Sequence, residues 1–144
     1  MTEQLIIVGE ANPWGGAATA LYHLPRHASG NRLREHLGLR DATYEKLRKV
    51  NLCEPAWSEK LARVTAERVL NRSGWDWDLI VMLGARVKKA FGVPKMEAFT
   101  AQGVLVALPH PSGLCRQWNE PGAPARARQL LARVAPWVPW GEVA

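Results

Sequence analysis

A histidine fixed between two prolines is the first place in this 144-residue sequence where residue types suggest chemistry: LPHPSGLCR, from Leu108 to Arg116. Proline locks its own φ, so Pro109 and Pro111 stiffen the backbone on either side of His110. Ser112 and Gly113 then permit a tight turn whose hydroxyl and amide groups can face an anion. Leu114 is left at a loop tip with little to bury it, and Arg116 adds a cation. An imidazole held this way can donate a hydrogen bond where negative charge develops. Two other stretches carry complementary groups. GEANPWGG, from Gly9 to Gly16, offers the Glu10 carboxylate and the Asn12 amide, either of which can hold a water, beside Trp14. VNLC, from Val50 to Cys53, offers Asn51, whose side chain is donor and acceptor at once.

These residues need elements to bring them together, and the hydrophobic pattern supplies them. Strands are expected at Leu5 to Gly9, Val50 to Leu52, Leu79 to Leu83 and Val104 to Leu108, each nearly continuous in apolar residues, as in a parallel sheet covered on both faces. Between them lie helical patterns from about Ser29 to Leu39, about Ser58 to Asn71 with Ser58 as N-cap, and Ala85 to Phe91 ended by Gly92. A last helix places Ala127, Leu130, Leu131 and Val134 on one face before Pro136. The expected fold is α/β, a three-layer α/β/α sandwich around a four-stranded, mainly parallel sheet. Right-handed crossovers put the strands' carboxyl ends at one edge, so Glu10, Asn12, Trp14, Asn51, Gly84 and His110 converge there.

Composition fits one soluble globular domain over residues 1–144, with 47% hydrophobic and 22% charged residues and no run long enough to cross a membrane. No signal peptide is expected before Leu5. Cys53 and Cys115 lack metal-ligand spacing and read as buried thiols, so no metal, no cofactor and a cytoplasmic setting are expected. The net charge of +6 favours polyanionic partners. Positive residues gather at Arg26, Arg32, Arg34, Arg40, Lys46, Arg48 and Lys49, and again at Arg126, Arg128 and Arg133. Of the seven tryptophans, Trp75, Trp77, Trp137 and Trp140 read as packing at the sheet ends, and Trp118 and Asn119 suggest no role.

HPSGLCR resembles the second signature of the uracil-DNA glycosylase superfamily, in which a His-Pro-Ser or Asn-Pro-Ser element precedes a leucine wedge. GEANPWGG is similar to the superfamily's first signature, a loop after the first strand in variants such as GEAPG or GINPG. It combines the GEA of one branch with the NP of another and is one residue longer than either. The resemblance runs from about Leu5 to Val134. It implies a monomeric enzyme without a metal or organic cofactor that hydrolyses the N-glycosidic bond of uracil or a related deaminated base in single- or double-stranded DNA. The GEAPG branch carries an iron–sulfur cluster, and this chain lacks the four cysteines for one.

The resemblance also implies roles. His110 donates to uracil O2, and Asn12, or alternatively Glu10, handles the attacking water. Asn51 reads O4 and N3. Trp14, Tyr22 or Phe99 supplies an aromatic floor. Ser112 and Gly113 hold a backbone phosphate, Leu114 fills the space left by the flipped nucleotide, and Arg116 braces the loop or binds another phosphate. The alternative expectation is a catalytically weak or inactive nucleic-acid-binding module with the same fold.

Overall fold

The computed structural model describes residues 4–11, 21, 28–54, 56–71, 78–112 and 115–143. Strands β1 (Leu5–Ala11), β2 (Arg48–Cys53), β3 (Leu79–Leu83), β4 (Thr100–Gln102) and β5 (Leu105–Leu108) form one sheet in the order β2-β1-β3-β5-β4. The pairs β1/β2, β1/β3 and β3/β5 are parallel, and β4 lies antiparallel to β5. Helices α1 (Ser29–Leu37), α2 (Asp41–Lys46), α3 (Glu59–Leu70), α4 (Ala85–Ala90) and α5 (Ala123–Val134) complete the order.

Alternation along β1 explains why both faces are covered. Leu5 and Ile7 point into a core built with Leu33 and Leu37 of α1, Tyr44 of α2, and Ala127 and Leu131 of α5. Ile6 and Val8 point the other way, into a core with Ala62 and Ala66 of α3 and Val87 of α4. A strand flanked by two such cores has no face on which a polar residue is tolerated, and all five residues of β3 are buried.

The sheet has five strands where four were expected. The extra strand, β4, is three partly exposed residues joined to β5 through Gly103 and Val104. Gly103 has φ 60°, at the first position of a two-residue hairpin, where glycine meets no Cβ penalty. Val104, expected to start the last parallel strand, is therefore in the turn and exposed. The second strand is longer than expected, and α2 was not expected at all: it is a six-residue helix that buries only Tyr44. Elsewhere the helices shorten at caps. α1 stops at Gly38, which is left-handed at φ 65°, with the Leu39 N–H donating to the Arg34 carbonyl at 3.1 Å.

Several of the clustered cations serve the fold. Arg34 pairs with Asp41 at 3.1 Å and donates to the Leu39 carbonyl at 2.7 Å. Lys49 donates to the carbonyls of Tyr44 and Leu47, and burial pushes its amine down to about 8. Arg128 donates to the His36 carbonyl at 2.9 Å. Trp137 and Trp140 pack against the α1/α5 core, as expected of them; Trp75, Trp77 and Arg26 lie outside the described residues. Among the described residues no helix is long and apolar enough to cross a membrane.

Ser58 caps α3 as its sequence suggested, its hydroxyl accepting from the Leu61 N–H at 3.3 Å. Ser58→Ala is expected to lower stability by about 1 kcal/mol, read as a lower urea midpoint with unchanged slope, and Ser58→Asp to retain most of it.

Candidate active site

From β1 the chain crosses to β2 on one side, whereas β3 lies on the other side of β1. The connections diverge there, and the carboxyl ends of β1 and β3 border the crevice in which open α/β sheets bind ligands. Glu10 in β1 and Gly84 after β3 occupy this point, and His110 joins them from the end of β5.

Gly84 makes the meeting possible. Its φ is 95°, and a Cβ built there would lie 3.2 Å from His110 Cβ and 3.3 Å from Glu10 Oε2. Its own N–H donates to the Leu108 carbonyl at 2.9 Å, tying the end of β3 to the end of β5. In the gap above it, Glu10 Oε2 stands 4.0 Å from His110 Nε2, and Arg86 of α4 approaches Glu10 Oε1 at 3.7 Å. The Arg86 guanidinium also lies 5.5 Å from the Trp57 ring centre.

The orientation of His110 follows from one bond. The backbone N–H of Ser112 donates to His110 Nδ1 at 3.0 Å. A backbone amide can only donate, so Nδ1 is the acceptor and the neutral ring carries its proton on Nε2. At 4.0 Å the Glu10 oxygen is beyond hydrogen-bond reach, so among the described residues the Nε2–H is not committed. The tight turn after His110 thus selects a donor tautomer facing the crevice.

Trp118, to which the sequence assigned nothing, braces this loop. It is buried in the short 3-10 turn Arg116–Asn119, and its indole N–H donates to the Pro109 carbonyl at 3.1 Å. Its ring stacks flat on His36 at 4.4 Å and meets Phe99 edge-on at 5.5 Å. A buried indole needs an acceptor for its N–H, which is the only signal a sequence could offer; the partner itself is set by folding. Phe99, one of three candidates for an aromatic floor, packs against Trp118 and lies under the Arg126 guanidinium.

Asn51 is 7% exposed and lies on the other side of the crevice. Its Oδ1 occupies the space a side chain at Gly9 would take, 2.6 Å from where that Cβ would be, so glycine at position 9 is required for the amide to sit there. Among the described residues its amide has no hydrogen-bond partner. Nearby Glu54, which follows β2, keeps Oε1 buried without a partner, and nothing in its surrounding sequence marks it. Ser112 is half-buried and Arg116 is exposed. Asn12, Trp14, Tyr22, Gly113 and Leu114 lie outside the described residues. The thiols differ from expectation: Cys53 is buried, with Sγ against the Ser58 backbone, whereas Cys115 is partly exposed because the 3-10 turn carries it to the surface. Among the described residues no group of three metal-ligating side chains gathers.

The molecule is thus of the α/β class, with a mostly parallel sheet flanked by helices and a histidine–glutamate pair at its carboxyl edge. No protein-family model, curated protein or solved structure matches this chain.

Two outcomes test this geometry. Gly84→Ala is expected to cost about 1–3 kcal/mol, because it forces a Cβ into a left-handed backbone and onto His110 and Glu10; thermal melting and the His110 ring resonances report it. Burial holds His36 below its ordinary value of 6.5, helped by Arg32 and Arg128 and opposed by Glu35. The unfolded chain then takes up the proton first, so this contribution to stability is present above pH 6.5 and is lost on acidification below it. Melting at about pH 7.5 and about pH 5.5 should show a larger loss for the native protein than for His36→Phe, which keeps the stack without the charge.

Proposed function

We propose that this protein is a DNA glycosylase that hydrolyses the N-glycosidic bond of uracil or a related deaminated base. The observation that carries the reading is the His110 Nε2–H, held in donor form at the carboxyl edge by the Ser112 amide. As the glycosidic bond breaks, its electron pair passes to the departing base, and an oxygen of that base gains negative charge. A fixed N–H aimed there lowers the barrier, typically by about 3 kcal/mol. Water then adds to the electron-poor sugar carbon, and the proton it loses passes through solvent to balance the released base anion.

Asn51 in β2 and His110 in the loop after β5 stand about three strand spacings apart, about 14 Å. Side chains reaching inward from both sides leave room for a planar base between them, with the Asn51 amide on its donor and acceptor edge. The carboxylate of Glu10 lies between, suited to offset positive charge on the sugar, with Arg86 limiting its effect on the departing anion. Asn12 holds the attacking water in this reading, with Glu10 as the alternative. The similarity of HPSGLCR and GEANPWGG to the two signatures of the uracil-DNA glycosylase superfamily supports this reading, and Ser112, Leu114 and Arg116 then take the phosphate and wedge roles.

The test is base release from end-labelled oligonucleotides carrying uracil, hypoxanthine, xanthine or a G·T mismatch. Native protein is expected to release at least one of these, and His110→Ala to lose about a hundredfold or more in rate. Asn51→Ala should narrow the preference for uracil over cytosine by about 1–3 kcal/mol. Failure to release any base, with DNA binding retained, would overturn the enzyme and leave a binding module.

A further inference from the structure

A cavity of about 460 Å³ is walled by the 94–99 segment that leads into β4, by Lys88 of α4 and by Arg126 of α5. It is no part of the arrangement around His110, yet it shares a wall with it. Phe99, which lines the cavity, donates its N–H to the Ala107 carbonyl at 2.7 Å and so sits at the carboxyl end of β5, one strand spacing from the His110 loop. Its ring touches Trp118, which holds the Pro109 carbonyl. Phe99 has φ 63°, a conformation rarely taken by an aromatic residue, and this turns the chain from the cavity wall into β4.

The lining has a definite chemistry. Arg126 lays its guanidinium 4.7 Å from the Phe99 ring centre, which leaves its outer face and its N–H groups for a ligand. Lys95 stands exposed on the same cavity. Lys88 is spent on the wall, donating to the Met96 carbonyl. Glu97 and Glu120 also line the cavity, yet among the described residues neither pairs with Lys95 or Arg126. Cations and carboxylates that share a cavity without neutralising one another suit a ligand with both an anionic group and N–H donors. An aromatic ring able to stack on the guanidinium completes the match, and a nucleotide has all three.

We infer that this cavity is a second nucleotide subsite, taking the nucleotide that flanks the extruded one on the same strand. The inference rests on the proposed action on DNA. The phosphate lies against Lys95 and Arg126, the base stacks on the Arg126–Phe99 pair, and Glu97 or Glu120 accepts from its amino group.

Fluorescence anisotropy with a labelled single-stranded oligonucleotide carrying an abasic-site analogue tests this across a salt series. Lys95→Ala/Arg126→Ala should weaken binding about tenfold or more and flatten the slope of log affinity against log salt by about 1.4, roughly 0.7 for each lost contact on single-stranded DNA. Lys95→Ala alone, at a side chain with no described partner, should show about half that change in slope. Arg68→Ala, at an exposed cation on α3, a helix that contributes no residue to the cavity, should leave the slope unchanged. Equal slopes in all four proteins overturn the subsite, as does an equal loss in Arg68→Ala. No binding by the native protein overturns both the subsite and the proposed function. Weakened binding in the cavity variants, with no base release by the native protein, removes the enzyme and leaves the subsite.

Discussion

Three chain segments meet where β3 leaves the sheet, and they do so because residue 84 carries no side chain. Glu10 comes from β1, His110 from the loop after β5, and both approach within van der Waals distance of the place where a Cβ would stand. A positive φ at that residue turns the chain away from the strand and into α4. The surrounding structure holds this turn in place: β3 is buried from end to end between two apolar cores, so it cannot slide to relieve crowding at its end. The helix on one side then delivers Arg86 to Glu10, and the amide tie to Leu108 fixes the start of the histidine loop.

The parts of the fold most visible in the sequence are those where burial is complete. Leu79 to Leu83 reads as a strand because a two-sided core admits no polar residue, and the helix after Ser58 is marked by its cap and its buried alanines. β4 left no comparable trace. Three residues, two of them polar, carry too little alternation to distinguish a strand from a loop, and its pairing with β5 depends on a glycine whose conformation only the folded hairpin requires. The six-residue α2 is similar, since a single buried tyrosine gives no period.

The site divides along the same line. His110 stood out because its two prolines restrict it locally, and the gathering of Glu10, Gly84 and His110 at one edge follows from strand order and handedness. The tautomer did not, because it depends on an amide two residues along folding back onto the ring. Trp118 was silent for a different reason: its acceptor, the stacked His36 and the edge of Phe99 come from three separate parts of the chain. Asn51 was legible as a side chain that is donor and acceptor at once, but its dependence on the bare backbone of Gly9 was not.

The two outer strands bear on how the molecule behaves among its own copies. An unpaired strand edge is a template on which another chain can add, the first step toward aggregates. Here β4 presents only three residues before it turns at Gly103, and β2 enters the sheet with the exposed cation Arg48. A foreign strand would find one edge too short to register on and the other opened by like charge, so the sheet that assembles the crevice discourages its own extension.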